Sequence, residues 1–160
     1  MDHSVPPQPE RERALDLGYK AVGCRERTEA ELRTFLERKR VEPDAIEEAV
    51  AELAAAGFLD DARYAVRFAE DKRSLERWGT ARIARELHRR GVAPKHVEHA
   101  LSAWGRQDEL EAAIELLDRR MPLMPGEDRE RDRAWRLLVR RGYESELAYE
   151  AVRAHGRRAA

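Results

Sequence analysis

The stretch "RIARELHRRG", Arg82 to Gly91, returns as "RAWRLLVRRG", Arg133 to Gly142, 51 positions further on. Four arginines, a leucine and a closing glycine coincide, so the pattern R-x-x-R-x-L-x-R-R-G keeps spacing as well as composition. At 3.6 residues per turn, Arg82, Arg85 and Arg89 fall within about 60° of one another on a helix. Arg133, Arg136 and Arg140 fill the same sector of the second copy, while Leu87 and Leu138 point elsewhere. Guanidinium groups on a rigid helix grip phosphates or carboxylates through paired hydrogen bonds, which lysine does less well. The chemistry on offer is therefore recognition of a polyanion or of an acidic protein surface. The competing reading is a solvated helix face in a chain where arginine dominates lysine throughout.

The elements that carry these arginines follow from the same 51-residue frame. One step back lies "ELRTFLERKRV", with Leu36, Arg38 and Lys39 where Leu87, Arg89 and Arg90 stand. Glu31 and Thr34 replace two arginines, so the cationic edge is expected in the second and third copies only. The register continues through Val41, Val92 and Tyr143, then through Ala49-Val50, Ala100-Leu101 and Ala151-Val152. Self-similarity at such a period marks a helical repeat array. The expected fold is all-α: three tandem three-helix repeats in an elongated, curved array, each repeat burying part of its face against its neighbours.

Repeat 1 spans 11–57, repeat 2 spans 58–106 and repeat 3 spans 107–155, between a mobile tail at 1–10 and a short flexible tail at 156–160. Thr28, with Glu31 three positions later, reads as a capping box for the second helix. Pro43 and Pro94 suit first helical turns, and Gly57 and Gly91 end helical runs. An aspartate of the "LDD" at residues 59–61 caps the next helix, and Thr80 is the expected cap of the first comb helix. "MPLMPGED" reads as a loop inside repeat 3, and no strand alternation is present.

Charged residues make up 39% of the chain and aromatics 6%, so the cores must be thin and built from Leu, Val, Ile and Ala. The formal net charge is −1, yet residues 61–106 carry 11 Lys/Arg against 6 Asp/Glu, and residues 1–60 carry 9 against 14. A basic middle suits electrostatic association with an anionic partner. A single cysteine, Cys24, rules out an intramolecular disulfide and points to the cytoplasm, as does a start without a basic and apolar leader. No run of residues is apolar enough to span a membrane, so no membrane partner is expected.

Catalytic chemistry finds no support. His96 and His99 are three apart but lack further metal ligands in sequence, and Asp60 and Asp61 suit capping better than acid-base work. Cys24 has no nucleophile motif around it, and no phosphate-cradling glycine loop occurs. No cofactor is expected. Trp135 falls on the apolar side of its helix, while Trp78 and Trp104 stand beside Gly79 and Gly105 at helix junctions, where packing is their default role.

The segments "GFLDDARYA" and "RWGTARIARELHRRGV", with "RERTEAELRTFL" before them, resemble the RecX family of bacterial recombination regulators. The likeness covers about residues 11 to 153 and is most specific over Gly57 to Val92. It implies a non-catalytic protein that binds the RecA nucleoprotein filament and modulates, chiefly by inhibition, its ATPase, strand-exchange and SOS co-protease activities; the chain itself is expected to be a monomer. It also implies possible direct contact with single-stranded DNA. By position, Gly57, Leu59, Asp60, Asp61, Arg63, Tyr64 and Ala65 match one family motif, and Gly79, Arg82, Ile83, Glu86, Leu87, Arg90, Gly91 and Val92 match the other. Most of these read as structural. The partner-binding candidates are Arg82, Arg85, Arg89, Arg133, Arg136 and Arg140, with Glu86 placed to orient Arg82 or Arg89. The chain departs from the family in "RWGT" and in the long "MPLMPGED" insertion. The alternative is a helical DNA-binding regulator that acts without RecA, since arginine-bearing short helices also suit a groove.

The frame makes Leu36, Leu87 and Leu138 equivalent core anchors. Changing any one to Ala should lower unfolding stability by about 2–5 kcal/mol in a denaturant titration. A neutral effect at all three would mean the repeats are misaligned.

Overall fold

The computed structural model describes residues 7–122 and 127–159. Among them the chain forms nine helices and no strand: α1 (Gln8–Cys24), α2 (Glu29–Arg38), α3 (Pro43–Ala55), α4 (Asp61–Glu76), α5 (Thr80–Arg89), α6 (Pro94–Leu101), α7 (Arg106–Arg120), α8 (Asp128–Arg141) and α9 (Ser145–Ala159). Within each trio the first helix packs on the third and the second packs beside them. The middle of the "MPLMPGED" loop, residues 123–126, lies outside the described residues, as do residues 1–6 of the expected N-terminal tail. None of the described helices is long and apolar enough to cross a membrane.

Each trio of helices closes an apolar core, and Leu59, at the start of repeat 2, packs into the first of them. Ala14, Leu32, Leu36, Ile46, Val50 and Leu53 belong to the first core. Tyr64, Ala65, Ile83, Leu87, Val92 and Val97 belong to the second. Leu110, Ile114, Leu117, Leu138, Tyr143 and Leu147 belong to the third. Leu36, Leu87 and Leu138 are each 0% exposed, as their shared register requires.

Two helix ends extend beyond the expected bounds. α1 begins at Gln8, with Pro7 and Pro9 favouring its first turn, so residues 8–10 are helix rather than tail. α9 runs to Ala159 because His155 anchors it: its ring is buried, with Nδ1 2.6 Å from Asp118 Oδ1 and Nε2 2.9 Å from the Met121 carbonyl. Both are contacts to α7 and its end, and no sequence period announces them.

The repeats join through the ends of their second helices. At the junction of repeats 2 and 3, Gly79 N–H donates to the Arg141 carbonyl (2.8 Å) and Ala81 N–H to the Gly142 carbonyl (3.1 Å). Amide groups that the start of α5 leaves unpaired thus meet carbonyls that the end of α8 leaves unpaired, and the two helix dipoles meet head to tail. Thr80 N–H donates to Glu109 Oε1 (2.8 Å), a carboxylate from α7. Thr80 is therefore the first helical residue and not the cap; Gly79 holds that place, because any Cβ there would strike the backbone of Gly142 and Tyr143.

The junction of repeats 1 and 2 uses the same plan in the same register. Glu29, 51 residues before Thr80, donates its N–H to Asp61 Oδ1 (3.0 Å), a carboxylate from α4. Thr28 caps α2 by accepting from Glu31 N–H (3.1 Å), and its hydroxyl donates to the Arg90 carbonyl at the end of α5 (2.7 Å). The Glu31 carboxylate turns away from the reciprocal half of a capping box and pairs with Arg25 at 2.8 Å. Asp60 supplies the cap of α4, accepting from Arg63 N–H at 2.9 Å.

Gly91 and Gly142, at φ +80° and +93°, close the two comb helices where they dock. A Cβ at Gly91 would collide with Ala30, and one at Gly142 with Arg82. Gly57, at φ +81°, has open space around it. Gly57→Ala should therefore cost about 1–2 kcal/mol for its left-handed backbone alone. Gly91→Ala and Gly142→Ala should each lose about 1–3 kcal/mol more from overpacking. Equal denaturation midpoints for all three variants would contradict the docking geometry.

Candidate functional site

The six comb arginines do not share one environment. Arg82 is half-buried, its guanidinium lying 3.9 Å from the Trp78 ring centroid and its NH1 donating to the Arg140 carbonyl at 3.2 Å. It spans the junction between α5 and α8 as well as facing outward. Arg89 is fastened along its own helix to Glu86, with Nε donating to Oε2 at 2.9 Å and NH2 to Oε1 at 2.5 Å. Arg136 pairs with Asp132 on α8 at 2.7 Å. Arg85, Arg133 and Arg140 are exposed and form no ion pair among the described residues. The end-to-end joint of α5 and α8 brings Arg82 and Arg140 together and sets both arginine rows on successive helices.

Trp78 serves as the platform for this edge. It is half-buried at the end of α4, with Lys72 Nζ 4.7 Å from its ring and Arg82 against it. Stacking there fixes the plane of Arg82 while part of the side chain faces solvent. Trp104 is exposed and carries Arg73 at 4.5 Å, and Arg73 is itself buried, so that burial pushes its pKa down against the pull of Glu109 and Asp108. Trp135 packs against the third core and donates its Nε1–H to the Ser145 carbonyl at 3.2 Å.

The second arginine of each "RRG" faces inward. Arg90 donates to the Tyr64 hydroxyl (2.6 Å) and to Glu86 (3.0 Å), and its NH1 lies 3.6 Å from Glu31 of the preceding repeat. Arg141 donates to the Glu76 carbonyl, and Tyr143 donates its hydroxyl to the Arg77 carbonyl at 3.1 Å. The remaining motif positions are structural: Leu59, Tyr64, Ile83 and Leu87 are buried, Asp60 and Asp61 cap helices, and Gly79 and Gly91 permit docking.

A cationic cleft extends beyond the expected edge. Arg25, Arg27, Arg38, Arg89 and Arg90 line it with Glu31, Thr34 and Phe35, where the first repeat meets the second. The first repeat contributes Arg25, Arg27 and Arg38 here, while Glu31 and Thr34 hold the other two comb positions of α2 as expected. Arg38 stands in the register of Arg89 and was visible in the sequence. Arg25 and Arg27 lie in the turn before α2, outside any helical period, and only the folded chain brings them in.

Among the described residues no group of three or more His, Cys, Asp or Glu is placed to hold a metal ion. His99 is exposed and His96 half-buried on α6.

Residues 12–53 match the first three-helix domain of RecX, residues 60–101 the second and residues 107–152 the third. The chain belongs to the RecX family. Regulatory protein RecX of Deinococcus radiodurans is 35% identical over 144 residues, covering 90% of this chain and 69% of its own. Regulatory protein RecX of Leptothrix cholodnii is 37% identical over 134 residues, covering 84% and 83%. The crystal structure of RecX from Lactobacillus salivarius superposes with a TM-score of 0.82 at 16% identity, covering 94% of this chain and 99% of that one, and so shares the fold. The matched relatives are regulatory proteins by name.

Glu86 holds both faces of the comb, binding the outward Arg89 and the inward Arg90. The hydrogen bond from Arg89, helped by Arg90 and opposed by burial, lowers its pKa from 4.5 to about 2. The native state then binds fewer protons than the unfolded chain, so the stabilisation is complete above about pH 4.5 and disappears as the pH falls toward 2. Glu86→Gln should be less stable than the parent by a constant margin above pH 5, with the two denaturation midpoints converging between pH 4.5 and 2. A margin that persists unchanged at pH 2 would show that Glu86 acts without its charge.

Proposed function

We propose that this chain binds the RecA nucleoprotein filament and restrains it, lowering its ATP hydrolysis, strand exchange and SOS co-protease activity without turning over a substrate of its own. Membership of a family of regulatory proteins supports the partner. The observation that carries the reading is the joint between α5 and α8, which aligns two arginine-bearing helices that otherwise belong to separate repeats. Arg82, Arg85 and Arg89, followed by Arg133, Arg136 and Arg140, form the contact edge. Five of its members, Arg85, Arg89, Arg133, Arg136 and Arg140, present exposed side chains that are uncommitted or tied only along their own helix. Such an edge grips acidic protein side chains or the phosphates of the enclosed DNA. The protein acts in the cytoplasm as a monomer.

Charge reversal at all six positions should leave the helical circular dichroism spectrum intact and reduce binding to RecA filaments at least tenfold, on the scale of several lost charged contacts. The companion measurement is RecA's DNA-dependent ATPase, which the parent should slow and the variant should not. A folded six-arginine variant with unchanged affinity would return the edge to a solvated surface. Preference for particular duplex sequences over filaments would favour the RecA-independent regulator.

A further inference from the structure

The comb accounts for α5 and α8, but not for the cleft between the first two repeats. That cleft has a volume of about 650 Å³, within the range of sites that take small ligands. Five arginines line it, against the carboxylates of Glu31 on its wall and Glu86 beside Arg89 and Arg90. The balance is three positive charges gathered on one concave surface, which raises the local concentration of anions.

Two of these arginines form no ion pair among the described residues. Arg27 donates through Nε to the Ala21 carbonyl at 3.2 Å and lies 5.0 Å from the centre of the Phe35 ring. Its plane is thereby fixed, and its two terminal nitrogens make no hydrogen bond among the described residues. Arg38 is exposed and makes neither an ion pair nor a side-chain hydrogen bond among the described residues. Across the cleft, Arg89 and Arg90 come from the second repeat, held in place by Glu86 and Tyr64. Guanidinium groups on two opposing walls, three of them held in place by contacts within the fold, match a ligand with more than one anionic group.

We infer that the cleft between repeats 1 and 2 is a phosphate site that takes two adjacent phosphate groups, gripped by Arg27 and Arg38 on one wall and Arg89 and Arg90 on the other. The site is separate from the α5–α8 edge in its first-repeat residues, and its occupation needs no RecA. The phosphates belong either to the backbone of a nucleic acid strand or to the chain of a free oligophosphate such as a nucleotide. In both cases the ligand bridges two repeats that otherwise share few apolar contacts, so binding also fixes repeat 1 against repeat 2.

The test uses the full chain without RecA and two probes, inorganic tripolyphosphate and an oligothymidylate, titrated calorimetrically at fixed ionic strength. The double variant Arg27→Gln, Arg38→Gln should bind tripolyphosphate at least about tenfold more weakly, as expected for lost charged hydrogen bonds. Its salt dependence for the oligothymidylate should fall by about 0.7 for each phosphate contact removed. Lys20→Gln, an exposed change on α1, should leave both affinities where they are. Saturating tripolyphosphate should raise the melting temperature of the parent and not of the double variant. Competition between the probes assigns the site to a nucleic acid backbone; tripolyphosphate binding without oligothymidylate binding assigns it to a free oligophosphate. Absence of saturable binding by either probe, or affinities unchanged in a double variant with a normal melting curve, would overturn the inference.

Discussion

Everything in this molecule depends on the close approach of one helix end to another. The start of α5 and the end of α8 come within backbone hydrogen-bonding distance only because Gly79 and Gly142 lack side chains. That contact pairs amides and carbonyls that would otherwise each need water or a side-chain cap. It also sets the positive end of one helix dipole on the negative end of the next. Asp61 and Glu109 reinforce the plan by placing a carboxylate of each incoming repeat on the first amide of the preceding second helix. Sequence position 51 residues apart thus becomes spatial succession end to end.

The same residues serve structure and recognition in turn around one helix. Arg90 and Arg141 point into the junctions and bind carbonyl, hydroxyl and carboxylate partners there. The arginines one position earlier, Arg89 and Arg140, remain outside. Rotation by about 100° between neighbours on a helix separates the two tasks. Glu86 connects them, since one carboxylate receives hydrogen bonds from both Arg89 and Arg90. A shift of the junction is therefore felt at the outer face through a single side chain.

The helices and their cores were legible because both obey periods. Leu36, Leu87 and Leu138 repeat at 51 residues and sit at the buried position of a 3.6-residue turn, which leaves little freedom for any other fold. The Thr28 cap was legible for the same reason, being a local pattern. What the sequence hid is set by tertiary contact. Thr80 carries the chemistry of a cap, yet Gly142 approaches so closely that Gly79 must take the position and Thr80 moves one place inward. Arg25 and Arg27 have no periodic partner, so their convergence with Arg38, Arg89 and Arg90 follows only once α2 and α5 abut. His155 extends α9 through contacts to Asp118 and Met121, which are 37 and 34 residues away.

Separate cores linked by polar joints have a kinetic meaning. Opening a joint breaks a few hydrogen bonds and exposes little apolar surface, whereas opening a repeat exposes a whole core. Local unfolding in such a chain proceeds in steps of unequal size, with neighbouring units coupled as in a one-dimensional array. The amides of Gly79, Thr80 and Ala81 belong to the joint, while those in the middle of α5 belong to the repeat. Exchange of the former with solvent then follows opening of the joint, and exchange of the latter follows loss of the fold. Three cores joined by hydrogen-bonded junctions therefore place the least costly openings of the chain at the junctions.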